Sequence, residues 1–473
     1  GGGATIVHVR SGAYGMNDGT SWADAFTNIV DAFDALALDI EHVKRGVWMA
    51  GDLTNTTKTL TFNAAVPFAV RGGFTGAENA PAERPAEGVA SLENGQACDG
   101  LSLTVAQDTT TTVDRIRFAH GQNRAINKTG KGSLEIFDCS FEGNGRTVAN
   151  AEGRGCSVDG GSMGSLTVSN CVFRGNLSTE TANAGGSGGI TVSSCVRATL
   201  DNCLFVSNGC ALTTGGTFAG SSGCCGAIRA SSSPLTARNC RFIGNTGCMR
   251  NGNGGCVKLG GACDGSAFTN CLWVGNADMP SRQGGLSQVA ALTVELDSVG
   301  GRVDLKNCTV AYNLFGAVDG ETPGASYGPG GISVNKGDVS VRDSIIFGNK
   351  KGARAAADCG TDIDVKTNSV IHLAYCLVPT LDDASAVHGC TAECVDIATN
   401  TMVTGDALFV SPTGDFDALV SGGLVIPAKS PLLASLNAHL RGGLGYRDEN
   451  TGELVRDYAG KKAPEIFSPA IDA

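Results

Sequence analysis

One heptad recurs along this chain: Asn/Asp-Cys-x-Phe-x-x-Asn. It runs Asp138-Cys139-Ser140-Phe141-Glu142-Gly143-Asn144, then Asn170-Cys171-Val172-Phe173-Arg174-Gly175-Asn176. It returns at Asn202–Asn208, Asn239–Asn245 and Asn270–Asn276, fades at Asn307–Asn313, and ends at Asp343–Asn349, where Ser344 replaces the Cys. Cys139, Cys171, Cys203, Cys240, Cys271 and Cys308 stand 31 to 37 residues apart, so a constant unit is joined by spacers of variable length. A period of this size is the signature of stacked repeats, in which one unit cannot bury its apolar face without its neighbours.

The spacers have their own order. A polar loop follows the last Asn. A Gly-rich strand start comes next, as in Gly188-Gly189-Ile190-Thr191-Val192 or Gly330-Gly331-Ile332-Ser333-Val334. A second alternating strand follows, as in Ser165-Leu166-Thr167-Val168, and the Cys-x-Phe strand closes the unit. Three short strands with turn chemistry between them predict an all-β, right-handed parallel β-helix with three strands per coil. A propeller blade would need about four strands in ~40 residues and gives the Asn no role.

In such a solenoid equivalent residues stack. Phe141, Phe173, Phe205, Phe242 and Trp273 form an aromatic column, with the six heptad Cys as a thiol column beside it. Asn144, Asn176, Asn208, Asn245, Asn276, Asn313 and Asn349 form an amide ladder at a bend, where Asn tolerates left-handed backbone and bonds to the next rung. One thiol per rung with no second ligand set reads as packing rather than a metal or redox ladder.

An open solenoid needs caps. Ser21 as N-cap and Asp24 in the first turn, with Trp22, Phe26, Ile29, Val30, Phe33 and Leu36 on one face, predict a capping helix over about 21–38. Strands at Val47–Met49 and Phe68–Val70 begin the coils, and 75–95, rich in Glu, Ala and Pro, reads as a surface loop. The solenoid with its cap is assigned to 1–399. Residues 400–473 read as an irregular segment packed on it or capping it.

The formal charge of −11 argues against a nucleic-acid partner, which needs a basic surface. No apolar run reaches the ~20 residues of a membrane-spanning helix. The opening Gly1-Gly2-Gly3 reads as a processed N-terminus, and the closing Ser468–Ala473 as a piece of a longer surface protein.

These repeats resemble bacterial extracellular parallel β-helix proteins of pectin-lyase-like fold. The Gly-Gly-x-Ile and Phe-x-x-Asn elements are similar to those of polymorphic outer-membrane proteins, which are adhesin-like passengers. Asn17-Asp18-Gly19-Thr20-Ser21-Trp22-Ala23-Asp24-Ala25-Phe26 and Arg71-Gly72-Gly73-Phe74-Thr75-Gly76-Ala77-Glu78 resemble opening motifs of that group. Asp406-Ala407-Leu408-Phe409-Val410 and the last six residues resemble its closing motifs. The resemblance implies a secreted or cell-surface location. Such folds host many functions, so function must be argued from the site.

Among the 19 Cys, Cys210 with Cys224 or Cys225, and Cys390 with Cys394, are candidate loop disulfides, as an oxidising compartment permits. Variable loops on a rigid scaffold are where binding sites lie, and Asp319, Glu321 and Tyr327 single out 314–329. Asp358, Asp362 and Asp364 form an acidic group that could take calcium; no other cofactor is implied. The outward positions of the third strand, Glu142, Arg174, Val206, Ile243, Val274, Ala311 and Phe347, show no carboxylate row. Their apolar run needs a cover, either the C-terminal segment or a partner. The leading expectation is a non-catalytic scaffold, an adhesin or an assembly subunit, meeting an extracellular glycan, a protein or another copy of itself. The alternatives are a polysaccharide lyase or other carbohydrate-active enzyme, and an inert stalk.

Overall fold

The computed structural model describes residues 5–378 apart from 40, 42–43, 56–57, 95–98, 122, 146–156, 179–185, 211–224, 249–254, 280–289, 316–328, 352–361 and 367; beyond 378 it describes only six short strands between 387 and 462. The chain forms two compact units, one of Gly1–Leu204 with Ala211–Ala219, the other of Phe205–Cys210 with Gly220–Ala473.

Each unit is a right-handed parallel β-helix built from three parallel sheets. In the first unit, the first sheet runs from Ile6–Arg10 through Gly46–Ala50 and Phe68–Phe74 to Arg197–Asp201. The second runs from Leu60–Ala64 to Ile190–Ser193. The third runs from Asp52–Asn55 through Ala90–Asn94, Ile116–Ala119 and Ser140–Glu142 to Val172–Arg174. The second unit repeats the plan, with first-sheet strands from Leu235–Arg238 onward, second-sheet strands from Cys225–Ser231 and third-sheet strands from Arg241–Ile243. Alternation sets the faces. In Ser165–Ser169, Leu166 and Val168 are buried and the residues between them half-exposed, and they pair in register with Leu134 and Ile136 of the preceding coil.

The aromatic column is stacked in both units. Phe118, Phe141 and Phe173 lie ring on ring with centroids 5.2 and 4.7 Å apart. Phe205, Phe242 and Trp273 follow at 5.1 and 5.0 Å. Each such ring contributes about 2–3 kcal/mol by burial, and stacking adds ~1 kcal/mol. Phe118 extends the column one coil before the first heptad.

Two amide ladders run along the bends. The inner one uses the last Asn of the heptad: Asn144 Nδ2 donates to Asn176 Oδ1 at 3.0 Å, and Asn245 to Asn276 likewise. The outer one uses the first position and runs in the opposite sense, Asn170 Nδ2 donating to Asp138 and Asn202 Nδ2 to Asn170, both at 3.0 Å. The expectation that the last Asn carries the left-handed backbone is corrected. Positive φ belongs to the first residue, as at Asp138 (52°) and Asn170 (54°), and to the residue before the last Asn, as at Gly143 (62°) and Gly175 (61°). The inner Asn is placed by its two amide bonds instead, to the next amide and to a backbone carbonyl such as Phe118 O.

The three-strand coil also needs an addition. In the second unit Thr246–Cys248, Ala277–Met279, Leu314–Phe315 and Lys350–Lys351 form a fourth parallel sheet just past the amide ladder. The ladder fixes the bend so firmly that the residues after it stay in register, Thr246 N donating to Asn208 O at 2.8 Å.

The capping helix is Ile29–Ala37, shorter than predicted, with Asn28 as the N-cap through its side chain to Val30 N. Ser21 and Asp24 bond to each other, Ser21 Oγ to Asp24 Oδ2 at 2.9 Å and Asp24 N to Ser21 Oγ at 3.1 Å, but within a loop. That loop is held open because Trp22 packs among His8, Trp48 and Phe74 and Phe26 makes a parallel bridge with Val9. Ile29, Ala32, Phe33 and Leu36 are buried. The helix lies against Ile6–Arg10, Asp52–Asn55 and Leu60–Ala64, the terminal strand of each of the three sheets, which closes the end of the core. The two quoted opening motifs meet here: Trp22 Nε1 donates to Glu78 O at 2.8 Å.

Of residues 400–473, two short antiparallel pairs are described, Tyr446–Arg447 with Leu454–Val455 and Asp457–Tyr458 with Lys461–Lys462; how the segment packs lies outside the described residues. The outward apolar positions Val206, Ile243, Val274 and Ala311 are buried within the single chain.

A candidate binding face on the first unit

The predicted loop over 75–95 ends early. After a short 3₁₀ turn at Pro81–Glu83, Ala90–Asn94 is a strand of the third sheet. It has no Cys and no Phe, so the heptad does not reveal it, yet it supplies the residue that completes the site. Register places Thr54, Glu93, Ala119, Glu142 and Arg174 in one outward column, and Asp52, Ser91, Arg117, Ser140 and Val172 in the column beside it. Glu93 and Glu142 are therefore two rungs apart, about 9–10 Å, with the small Ala119 between them.

Arg117 spans the gap. Its Nη1 donates to Glu93 Oε1 at 3.0 Å and to Ser91 Oγ at 3.1 Å, and its Nε to Glu142 Oε2 at 2.8 Å. His120 Nδ1 meets the other oxygen of Glu93 at 2.8 Å. These side chains are one third to three fifths exposed, so the face is open to a ligand. Partial burial opposes ionisation of Glu93, but the bonds from His120 and Arg117 outweigh it and hold the carboxyl below its ordinary value. Burial likewise works against the Arg117 guanidinium, and the two carboxylates more than offset it, raising its pKa.

His120 has φ 56°, at the position that Gly143 and Gly175 fill on the next two coils. Ser207 and Tyr312 do the same in the second unit. Left-handed backbone costs a residue with a Cβ about 1–2 kcal/mol. A half-exposed ion pair returns only ~0.2–1 kcal/mol. The bond to Glu93 therefore does not offset the strain, and stability alone would favour Gly at 120. Strain retained beside a cluster of ionisable groups is a mark of a functional position.

The face begins at a cavity of about 240 Å³ whose lining includes Ser11, Thr27, Asn28, Asp52 and Thr54. Asp52 and Thr54 are the first members of the two outward columns, so cavity and charged row are continuous.

The other sequence candidates fall as follows. Asp319, Glu321, Tyr327 and Asp358, with Cys224, Cys390, Cys394 and the side chain of Cys210, lie outside the described residues. Cys225 is a buried thiol. Asp362 is buried and accepts from Asn349. Asp364 is buried with Lys366 Nζ at 3.4 Å. Among the described residues no three metal-ligating side chains converge. The heptad thiols are buried and donate to backbone carbonyls, as Cys171 does to Ser169 O at 3.2 Å; Cys376 extends their column. Glu93, Arg117 and His120 were missed. Aligning Ile116-Arg117-Phe118-Ala119-His120 on the heptad Phe would have found two of them.

The fold and this face define a capped parallel β-helix with an open, ion-paired flank. No family model and no curated protein matches the chain. Among solved structures it is similar to tailspike protein 3 of bacteriophage CBA120, with 10% identity and a TM-score of 0.36 over 79% of this chain and 59% of that one. It is also similar to the Dettilon tailspike protein, with 12% identity and a TM-score of 0.29 over 84% of this chain and 70% of that one. The chain thus spans less than two thirds of the length of the first of these.

Proposed function

We propose that this chain is an extracellular glycan-binding scaffold, adhesin-like and non-catalytic, whose contact surface is the face carrying Glu93, Arg117, His120 and Glu142. The observation that carries the reading is the Glu93–Arg117–Glu142 row with strained His120 beside it. Carboxylates, a guanidinium and hydroxyls at rung spacing offer acceptors and donors to sugar hydroxyls along a rigid strip, and rigid placement limits the entropy lost on binding.

Binding is favoured over hydrolysis by the state of the carboxylates. An inverting glycosidase needs two of them about 6.5–9.5 Å apart, which this spacing approaches, but one must hold a proton near neutral pH. Arg117 bonds to both, and Glu93 is held on the ionised side. Glu93 serves as an acceptor, not as an acid.

The test is retention of the purified chain on immobilised neutral and acidic glycans, with reducing ends and unsaturated products followed in the same samples. Retention without product, lost in Glu93→Ala, is the expected result. Product formation that disappears in Glu142→Gln would replace this reading with an enzymatic one. Retention on no glycan would leave the scaffold without this role.

A further inference from the structure

Arg174 stands one rung beyond Glu142 in the same outward column and pairs with it in backbone register. An ion pair between them is the simplest arrangement, and it does not form. Glu142 turns to Arg117 instead. Among the described residues Arg174 makes no side-chain hydrogen bond, and its Nε is buried without an acceptor. The ionised groups on the rungs before it are engaged: Glu93 by Arg117 and His120, Arg117 by both carboxylates, Glu142 by Arg117.

An unmatched, half-buried guanidinium is costly, because it has lost part of its hydration with nothing in exchange. The same loss makes it a strong site for an incoming anion, since Coulomb attraction grows as water is removed. Guanidinium geometry selects a planar, two-oxygen anion. Glu142 on the adjacent rung repels a free anion that touches no other part of the face. An anionic group attached to a chain already lying along the columns brings its own contacts and overcomes that repulsion.

We infer that Arg174 is a carboxylate-recognition residue that makes the face specific for acidic glycans. This rests on the glycan-binding reading and names the ligand class within it. A sugar carboxylate meets the exposed edge of Arg174, while neighbouring hydroxyls meet Glu142, Arg117 and Glu93. The span from the cavity rung of Asp52–Asn55 to the Arg174 rung is four rungs, about 19 Å, the length of a short oligosaccharide.

The experiment compares retention on immobilised polygalacturonate and hyaluronan with retention on their carboxyl-reduced, neutral counterparts. Wild type, Arg174→Gln and Arg174→Lys are compared, with thermal unfolding midpoints checking that each variant is folded. Wild type is expected to prefer at least one acidic polymer by roughly tenfold or more, the weight of one charge-assisted contact, and added salt should weaken that preference. Arg174→Gln should abolish the preference and keep the binding to the neutral polymer. Arg174→Lys should retain part of it, as a charge without the fork. Equal binding to acidic and neutral polymers, or a preference that survives in Arg174→Gln, overturns the role of Arg174 and leaves glycan binding standing. Retention on none of the four polymers overturns both.

Discussion

Asn349 Nδ2 donates to Asp362 Oδ1 at 2.6 Å, and the Asn349 backbone N to the same oxygen at 3.0 Å. This ends a ladder in which Asn208, Asn245, Asn276 and Asn313 each donate forward to the next amide oxygen. Every amide dipole points the same way, so the donor end of the chain meets a carboxylate, as an anion meets a helix N-terminus. Asp362→Ala leaves two buried donors without an acceptor and is predicted to cost about 2–4 kcal/mol in denaturant unfolding. Asp362→Asn keeps the oxygen and should cost less than half as much. Equal losses in the two variants would show that the charge, not the acceptor, ends the ladder.

The thiol column should be chemically silent in the native chain. Burial, and next the neighbouring thiols, push Cys171 and Cys271 well above the ordinary thiol range, and burial outweighs two backbone bonds to push Cys376 up to about 11. Thiolate is the reactive form. Peptide mapping after iodoacetamide at pH 8 should show Cys171 and Cys271 unlabelled in native protein and labelled fully in denaturant. Rapid native labelling would mean that the coil opens locally.

Glu78 anchors the cap. Burial opposes its ionisation, but Thr75, through backbone and hydroxyl, and the Ala77 backbone bond to it and hold it at about 2. Its folded pKa is depressed, so its contribution is complete above the unfolded value and is lost as pH falls through about 4.5 to 2. Wild type should lose about 3 kcal/mol relative to Glu78→Gln between pH 5 and pH 2. Trp22 fluorescence reports the change, since its indole bonds to the Glu78 carbonyl. Parallel pH profiles for the two proteins would remove Glu78 from that role.

The heptad made the coil legible because its Phe, Cys and Asn each have one place to go: a column, a column and a ladder. The binding face was less legible. Its key strand, Ala90–Asn94, has no Phe and no Cys and follows a Pro- and Glu-rich stretch that reads as loop. Glu93 and Arg117 reach the face through register, which sequence spacing does not carry where rungs differ in length. The helix start was misplaced because Asp24 N donates to Ser21 Oγ in a loop as it would at a helix N-terminus. What separates the two is the pull of Trp22 into the His8, Trp48 and Phe74 cluster, a contact between distant segments.

His120→Gly separates stability from function. Gly takes φ 56° without penalty, so the variant sheds strain of about 1 kcal/mol and loses an exposed bond to Glu93 worth less than that. Its unfolding midpoint should equal or slightly exceed that of wild type. If the imidazole is there for a ligand, retention on glycan should fall several-fold in the same variant, and His120→Ala should lose both binding and stability, since Ala keeps the Cβ and gives up the bond. Glu93 gains part of its low pKa from His120, so the variant should also shift the acid limb of binding to higher pH. A variant both stabler and fully retained on glycan would mean that the strain at 120 serves no ligand, and the face would then rest on Arg117 and its two carboxylates alone.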